Sequence, residues 1–171
     1  MDASAQDMVT VFYLQMESPS PCRASRPPGD LSVAQIEKPS AELYRSLYDA
    51  VGENYNWRSR RKLSPTELEA IIQHPENDFL VLTVNGQHAG FAELDRRKSG
   101  DIEIVQFGLV PGFIGQGLGK WFLEKVLESA WHHQPRRIWL HTCTLDHAAA
   151  LPNYLKAGFT LYKQEVTKRY V

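Results

Sequence analysis

The densest chemistry in this chain lies between Phe107 and Lys120. A β-rich run ends at Val110-Pro111, and the glycine-dense stretch Gly112-Phe-Ile-Gly115-Gln-Gly117-Leu-Gly119-Lys120 leads into an amphipathic segment. Glycine lets a backbone approach an anionic group closely, and the first N–H groups of a helix lack intrahelical partners and sit at its positive end. A phosphate-bearing ligand is the first expectation. A dinucleotide fingerprint needs G-x-G-x-x-G, which glycines at 115, 117 and 119 do not supply. A P-loop would need Gly where Ile114 stands and Ser or Thr where Trp121 stands.

Around this turn the pattern resembles the acyl-CoA pyrophosphate loop of the GNAT superfamily of N-acetyltransferases: Arg or Gln, two variable residues, Gly, one variable residue, then Gly or Ala. Gly117 and Gly119 fit, Gly115 and Gln116 are the variable pair, and Ile114 departs from the opening Arg or Gln. Most phosphate contacts in such a loop come from backbone N–H groups, so the departure weakens binding more than it abolishes it. Downstream, Leu145-Asp-His-Ala-Ala-Ala-Leu-Pro-Asn-Tyr154-Leu-Lys-Ala-Gly158-Phe159 is similar to the family's last helix with its Tyr-x-x-x-Gly-Phe ending, although His147 replaces the common Asn.

The resemblance implies acyl transfer from acetyl-CoA to a primary amine, with no metal. Ile114, Gly115, Gln116, Gly117, Leu118, Gly119 and Lys120 would hold the pyrophosphate, and the backbone of Phe107, Gly108 and Leu109 would serve the pantetheine and the thioester carbonyl. Glu103 stands where several members carry a general base, and Tyr154 matches the tyrosine that protonates the leaving thiolate. In a regular strand Glu103 shares a face with Val105, Phe107 and Leu109, partly apolar surroundings that raise a carboxylate's pKa. A phenol with a pKa near 10 holds its proton at neutral pH. Two other readings stay open: a peptide or protein amino group as acceptor, and a non-catalytic acyl-CoA-binding module.

Acceptor contacts in this family come largely from the loop between the first two helices, here Gly52 to Lys62. Tyr55, Asn56, Trp57 and Arg58 combine aromatic walls with polar ends, the composition of a small-molecule pocket. Arg58, Arg60 or Arg61 would suit a substrate that carries a carboxylate or phosphate beside its amine, while a solvated basic surface accounts equally well for the last two. His141 and Cys143 share a strand face, but the paired ligands of a zinc site are missing from the sequence. His141 is read as an auxiliary proton carrier near the acceptor or as a structural histidine.

The positioning elements follow from periodicity. Strands are predicted over Val9 to Glu17, Leu31 to Glu37, Phe79 to Val84, Gln87 to Asp95, Ile102 to Leu109, Ile138 to Cys143 and Phe159 to Val166. Asn85-Gly86 marks a hairpin. Helices are predicted over Pro39 to Val51, from the Ser64-Pro65-x-Glu67 capping box to Gln73, after Gly117, and near His147 to Ala157, where Pro152 should kink or shorten the helix. Trp121 falls outside its helix's apolar stripe, so it packs on a loop or marks a subunit contact. The expected fold is α/β (α+β), a mixed, mostly antiparallel sheet of six or seven strands with helices on both faces. Residues 1–30, a strand and a Pro-rich connector, precede the acetyltransferase domain at 31–171 in one compact unit.

With 171 residues, 43% of them hydrophobic, the chain can bury a real core. A net charge of −1 gives no pull toward nucleic acid or anionic membrane. Cys22 and Cys143 are too few for a disulfide framework, the first residues lack the pattern of a signal peptide, and no apolar run reaches 18 residues. The cytoplasm is the simplest home, a homodimer is possible, and the expected partner is a small-molecule amine.

Overall fold

The computed structural model describes residues 7–21, 23–55 and 57–169; Cys22 and Asn56, considered above, lie outside them. Seven strands form one sheet: β1 (Asp7–Met16), β2 (Leu31–Gln35), β3 (Asn77–Val84), β4 (Gln87–Asp95), β5 (Asp101–Leu109), β6 (Arg137–Cys143) and β7 (Thr160–Arg169). The order is β2-β3-β4-β5-β6-β1-β7, antiparallel at every junction except β5/β6. Four α-helices complete it: α1 (Ala41–Gly52), α2 (Pro65–Ile72), α3 (Leu118–His132) and α4 (Ala150–Lys156).

Local signals explain most boundaries. Asn85 and Gly86 take φ of 49° and 81°, the left-handed pair that a tight hairpin between β3 and β4 requires. Ser64 and Glu67 close a reciprocal capping box at the start of α2, with Pro65 at its first position. Pro152 sits in the first turn of α4, which begins only at Ala150.

Strand alternation sorts the core into two clusters. Leu80, Leu82, Ala92 and Leu94 join Phe122, Val126 and Leu127 of α3, while Phe79, Val81 and Phe91 on the opposite face pack with Tyr44, Leu47 and Tyr48 of α1 and Leu68 and Ile72 of α2. Burying such large side chains contributes about 1.5–3 kcal/mol each.

β1, drawn from the segment ahead of residue 31, is an interior strand between β6 and β7. The described part of the connector after it has no regular secondary structure and is tied to α3: the Ala24 N–H donates to Glu124 at 2.6 Å, Arg23 pairs with Glu124 and Glu128 at 3.2 Å, and Pro27 is buried. Trp121 packs beneath this loop. It is 7% exposed, and Arg26 lies 5.9 Å from its ring centroid.

Two irregularities shape the site. β5 and β6 are in register only from Asp101–Arg137 to Glu103–Trp139, beyond which no pairing joins them. On the other side of β5 the register slips: Leu94 opposes Ile104 but Glu93 opposes Gln106, leaving Val105 as the extra residue of a bulge. The bulge overturns the expectation that Glu103 shares a face with Phe107 and Leu109. Ile102, Ile104, Phe107 and Leu109 all pack in the cluster beneath α3, and Glu103 is turned toward Glu93, Asp95, Arg60 and Arg97.

Candidate active site

Where β5 and β6 part, a cleft of about 880 Å³ passes through the sheet. Its walls come from the turn before α3, from β5 and β6, from α4 and from the loop after α1.

The glycine turn forms one end. Gly115 and Gly117 take φ of 86° and 76°, and Gly117 is the N-cap of α3. A side chain at 112 or 115 would meet nothing within 4 Å, so this surface is open. Among the described residues, the N–H groups of Gly115, Gly117 and Gly119 have no protein partner. Ile114, Gly115, Gly117, Gly119 and Lys120 line the cleft, and Lys120 makes no ion pair among the described residues. The side chains of Gln116 and Leu118 do not line it. Gln116 donates to the Gly112 carbonyl at 3.2 Å, and Leu118 is buried in the core.

Phe107, Gly108 and Leu109 form the β5 wall. Phe107 stacks on Phe122 at 5.3 Å and lies 6.2 Å from Tyr154, whose ring also meets Phe159 at 5.9 Å. Burial, with a smaller contribution from Asp146, pushes the Tyr154 phenol well above its ordinary range, so it is protonated at neutral pH. No hydrogen bond within the described residues uses its hydroxyl.

The aromatic end comes from the α1–α2 loop. Trp57 packs on Gly52 and against Tyr48 at 5.4 Å and Phe91 at 6.3 Å. Tyr55 meets His147 at 6.2 Å, and burial, then Asp146, raises its pKa. Arg58 lines the cleft without an ion-pair partner among the described residues, whereas Arg61 holds Asp49 at 2.7 Å and Arg60 holds Glu93 at 2.6 Å. Glu93 is fully buried and also accepts from Asn77 at 3.0 Å and from the Tyr44 hydroxyl.

Glu103 lies at the point of the opening but does not line the cleft. His141 does, and its Nε2 is 4.0 Å from Glu103 Oε1. Burial first, then Asp95 and Glu93, push the Glu103 carboxyl above the usual carboxylate range.

Sequence reasoning missed the contribution of the two terminal strands, Val9 and Val11 of β1 and Thr167 and Lys168 of β7. Only the pairing of β1 with β6, which residue periodicity does not encode, would have placed them there. It also missed Asp146, which lines the cleft and fixes the start of the β6–α4 loop by accepting from the Thr142 hydroxyl and the Cys143 N–H. Among the described residues no cluster of His, Cys, Asp or Glu could hold a metal ion, and no helix is long and apolar enough to cross a membrane.

Comparison with known proteins converges on one family. Residues 42–159 match the model of the Acetyltransferase (GNAT) family. Uncharacterised N-acetyltransferases of Mycobacterium tuberculosis and Mycobacterium bovis are 28% identical over 99 residues, 58% of this chain and 63% of theirs. A GCN5-related N-acetyltransferase from Sphaerobacter thermophilus superposes with a TM-score of 0.70 at 17% identity, over 94% of this chain and 51% of that one. A tandem GNAT protein from the clavulanic acid biosynthesis pathway gives 0.67 at 14%, over 96% and 54%. An aminoglycoside acetyltransferase from an uncultured soil metagenomic sample, solved with trehalose, gives 0.64 at 15%, over 82% and 95%. This chain thus spans about half of the first two structures and 63% of the curated relatives. The open glycine turn at the head of α3, the parting of β5 from β6 and the match over residues 42–159 agree, and the chain belongs to the GNAT acetyltransferase family.

Proposed function

We propose that this chain transfers an acetyl group from acetyl-CoA to the primary amine of a small molecule by direct attack in a ternary complex. The observation that carries this reading is the single cleft that crosses the sheet, with an anion-binding turn at one end and an aromatic loop at the other. A donor and an acceptor entering from opposite ends meet beside β5, which converts a bimolecular encounter into a positioned one.

The open surface at 112 and 115 and the unpartnered N–H groups of the turn fit a pyrophosphate, with Lys120 adding a charge. When bound, acetyl-CoA supplies a thioester whose C–S bond breaks as the amine nitrogen bonds to the carbonyl carbon. The amine must lose a proton. Glu103 takes it, and because Glu103 stands behind the wall of the cleft, His141 or a water carries the proton across. Tyr154 gives a proton to the departing sulfur. The phenol is protonated at neutral pH and so can hydrogen-bond the sulfur as negative charge develops on it. Backbone N–H groups at the end of β5 stabilise the oxyanion.

Titration calorimetry with acetyl-CoA, followed by a CoA-release assay over a panel of amines, tests the reading. Binding with turnover that collapses in Tyr154→Phe is expected. Binding without turnover of any amine would favour an acyl-CoA-binding module, turnover confined to peptides would move the acceptor class, and no binding at millimolar acetyl-CoA would overturn the proposal.

A further inference from the structure

The geometry points to an acceptor that carries a carboxylate as well as its amine, the carboxylate held by Arg58; this rests on the reading above that the cleft takes an amine. Three arginines stand in the α1–α2 loop, and the structure divides their work. Arg60 reaches inward to the buried Glu93, and Arg61 is held on the surface by Asp49. The first is committed to a buried carboxylate, and neither lines the cleft. Arg58 alone of the three lines the cleft, and among the described residues no carboxylate pairs with it.

Described residues on both sides of Arg58 are anchored to the rest of the protein. Its neighbour Trp57 is wedged on Gly52, with the Trp57 N–H bonded to the Gly52 carbonyl at 3.2 Å. Two residues on, the Arg60 backbone N–H donates to the Tyr48 hydroxyl at 3.4 Å while its side chain is anchored on Glu93. Further along, Arg45 donates to the Leu63 carbonyl. A guanidinium between such anchors is suited to a planar carboxylate, which it can grip with two parallel N–H bonds.

The charge inventory of the cleft selects the same chemistry. Its cations are Arg58, Lys120 and Lys168, with His141 and His147 as titratable groups. Among the described residues its one lining carboxylate is Asp146, one oxygen of which accepts from Thr142 and Cys143. A polycationic acceptor would find few anions and several like charges, whereas an amine with one carboxylate and an apolar body would meet Arg58 beside the rings of Tyr55 and Trp57.

The test is a CoA-release assay on the full chain at saturating acetyl-CoA, using matched acceptors: L-phenylalanine against phenethylamine, 6-aminohexanoate against hexylamine, and kanamycin as the polycation. In at least one pair the carboxylated member should have the higher kcat/KM by about 10-fold or more, the scale of a hydrogen bond to a charged group. Arg58→Gln should erase that preference, with kcat/KM for the carboxylated member falling about 10-fold further than kcat/KM for its uncarboxylated partner. Arg61→Gln, which removes a surface cation outside the cleft, should leave the preference intact. A preference that survives Arg58→Gln, no preference in any pair, or kanamycin as the best acceptor overturns the inference and leaves acetyl transfer standing. No turnover of any amine overturns both.

Discussion

Replacing Arg60 by Met removes the guanidinium and keeps most of the aliphatic volume, leaving the Glu93 carboxylate behind. Glu93 has no solvent exposure and Arg60 only 16%, so water cannot replace the lost partner. Breaking a buried ion pair from one side costs about 3–5 kcal/mol. Asn77 and Tyr44 still donate to Glu93, which places the expected loss near the lower end, about 3 kcal/mol. For a chain of this size each kcal/mol moves Tm by about 2–4 °C, so Arg60→Met should melt about 6–12 °C lower. Calorimetric melts at about pH 7, with Glu93→Gln and the double variant completing a cycle, measure the coupling. A fall in Tm below about 2 °C, or additive single effects, would refute the view that this pair anchors the loop to the sheet. The same variant should raise KM for the amine more than KM for acetyl-CoA, because Arg60 anchors the loop that bears Trp57 and Arg58.

Tyr154→Phe should lower kcat by about 100-fold or more while Tm moves by under about 2 °C, since no hydrogen bond is lost; unchanged kcat in steady-state CoA release would remove Tyr154 from the chemistry. Glu103→Gln should reduce kcat yet raise Tm at pH 7. Burial and the Asp95 and Glu93 charges oppose ionisation of Glu103, and the gain should fade in melts as pH falls toward and below the unfolded value of about 4.3, where the carboxyl becomes protonated in both states. In the wild type, kcat/KM should rise with pH through the raised Glu103 pKa, and that limb should disappear in the same variant. Gly117→Ala places a Cβ on a residue at φ 76° with its nearest neighbour at an ordinary 3.9 Å, so backbone strain of about 1–2 kcal/mol is the whole cost. It should raise KM for acetyl-CoA; an unchanged KM with normal Tm would exclude the turn from donor binding.

Elements with a local cause were legible before the structure. The Asn85-Gly86 hairpin, the Ser64/Glu67 capping box and the glycine turn ahead of α3 each depend on a few adjacent residues whose conformational preferences leave few alternatives. What stayed hidden depends on partners remote in sequence. The bulge at Val105 arises from the pairing of β5 with β4, and it reversed the face assigned to Phe107 and Leu109 relative to Glu103. Trp121 looked misplaced on a helical wheel because the loop that covers it begins about a hundred residues earlier. Reading Glu103, His141, Tyr55, Trp57 and Arg58 as candidates needed only composition and the family pattern. Finding that Arg60 is committed to Glu93, and that His141 lines the cleft with Nε2 4.0 Å from Glu103, needed coordinates.

The interior position of β1 bears on how the molecule comes into being. In chain order this strand precedes the other six, yet its two neighbours in the sheet are β6 and β7, made more than a hundred residues later. Tyr13 bonds Glu165 across 152 positions, so this half of the sheet can close only after β7 has been made. Until then β1 is a bare strand with both edges unpaired, exposed to other nascent chains and to chaperones. Because Val9, Val11, Thr167 and Lys168 all wall the cleft, a ribosome-stalled or prematurely terminated product would hold α3 and its glycine turn but lack part of the cleft wall. The cleft is thereby finished only once β7 has joined β1.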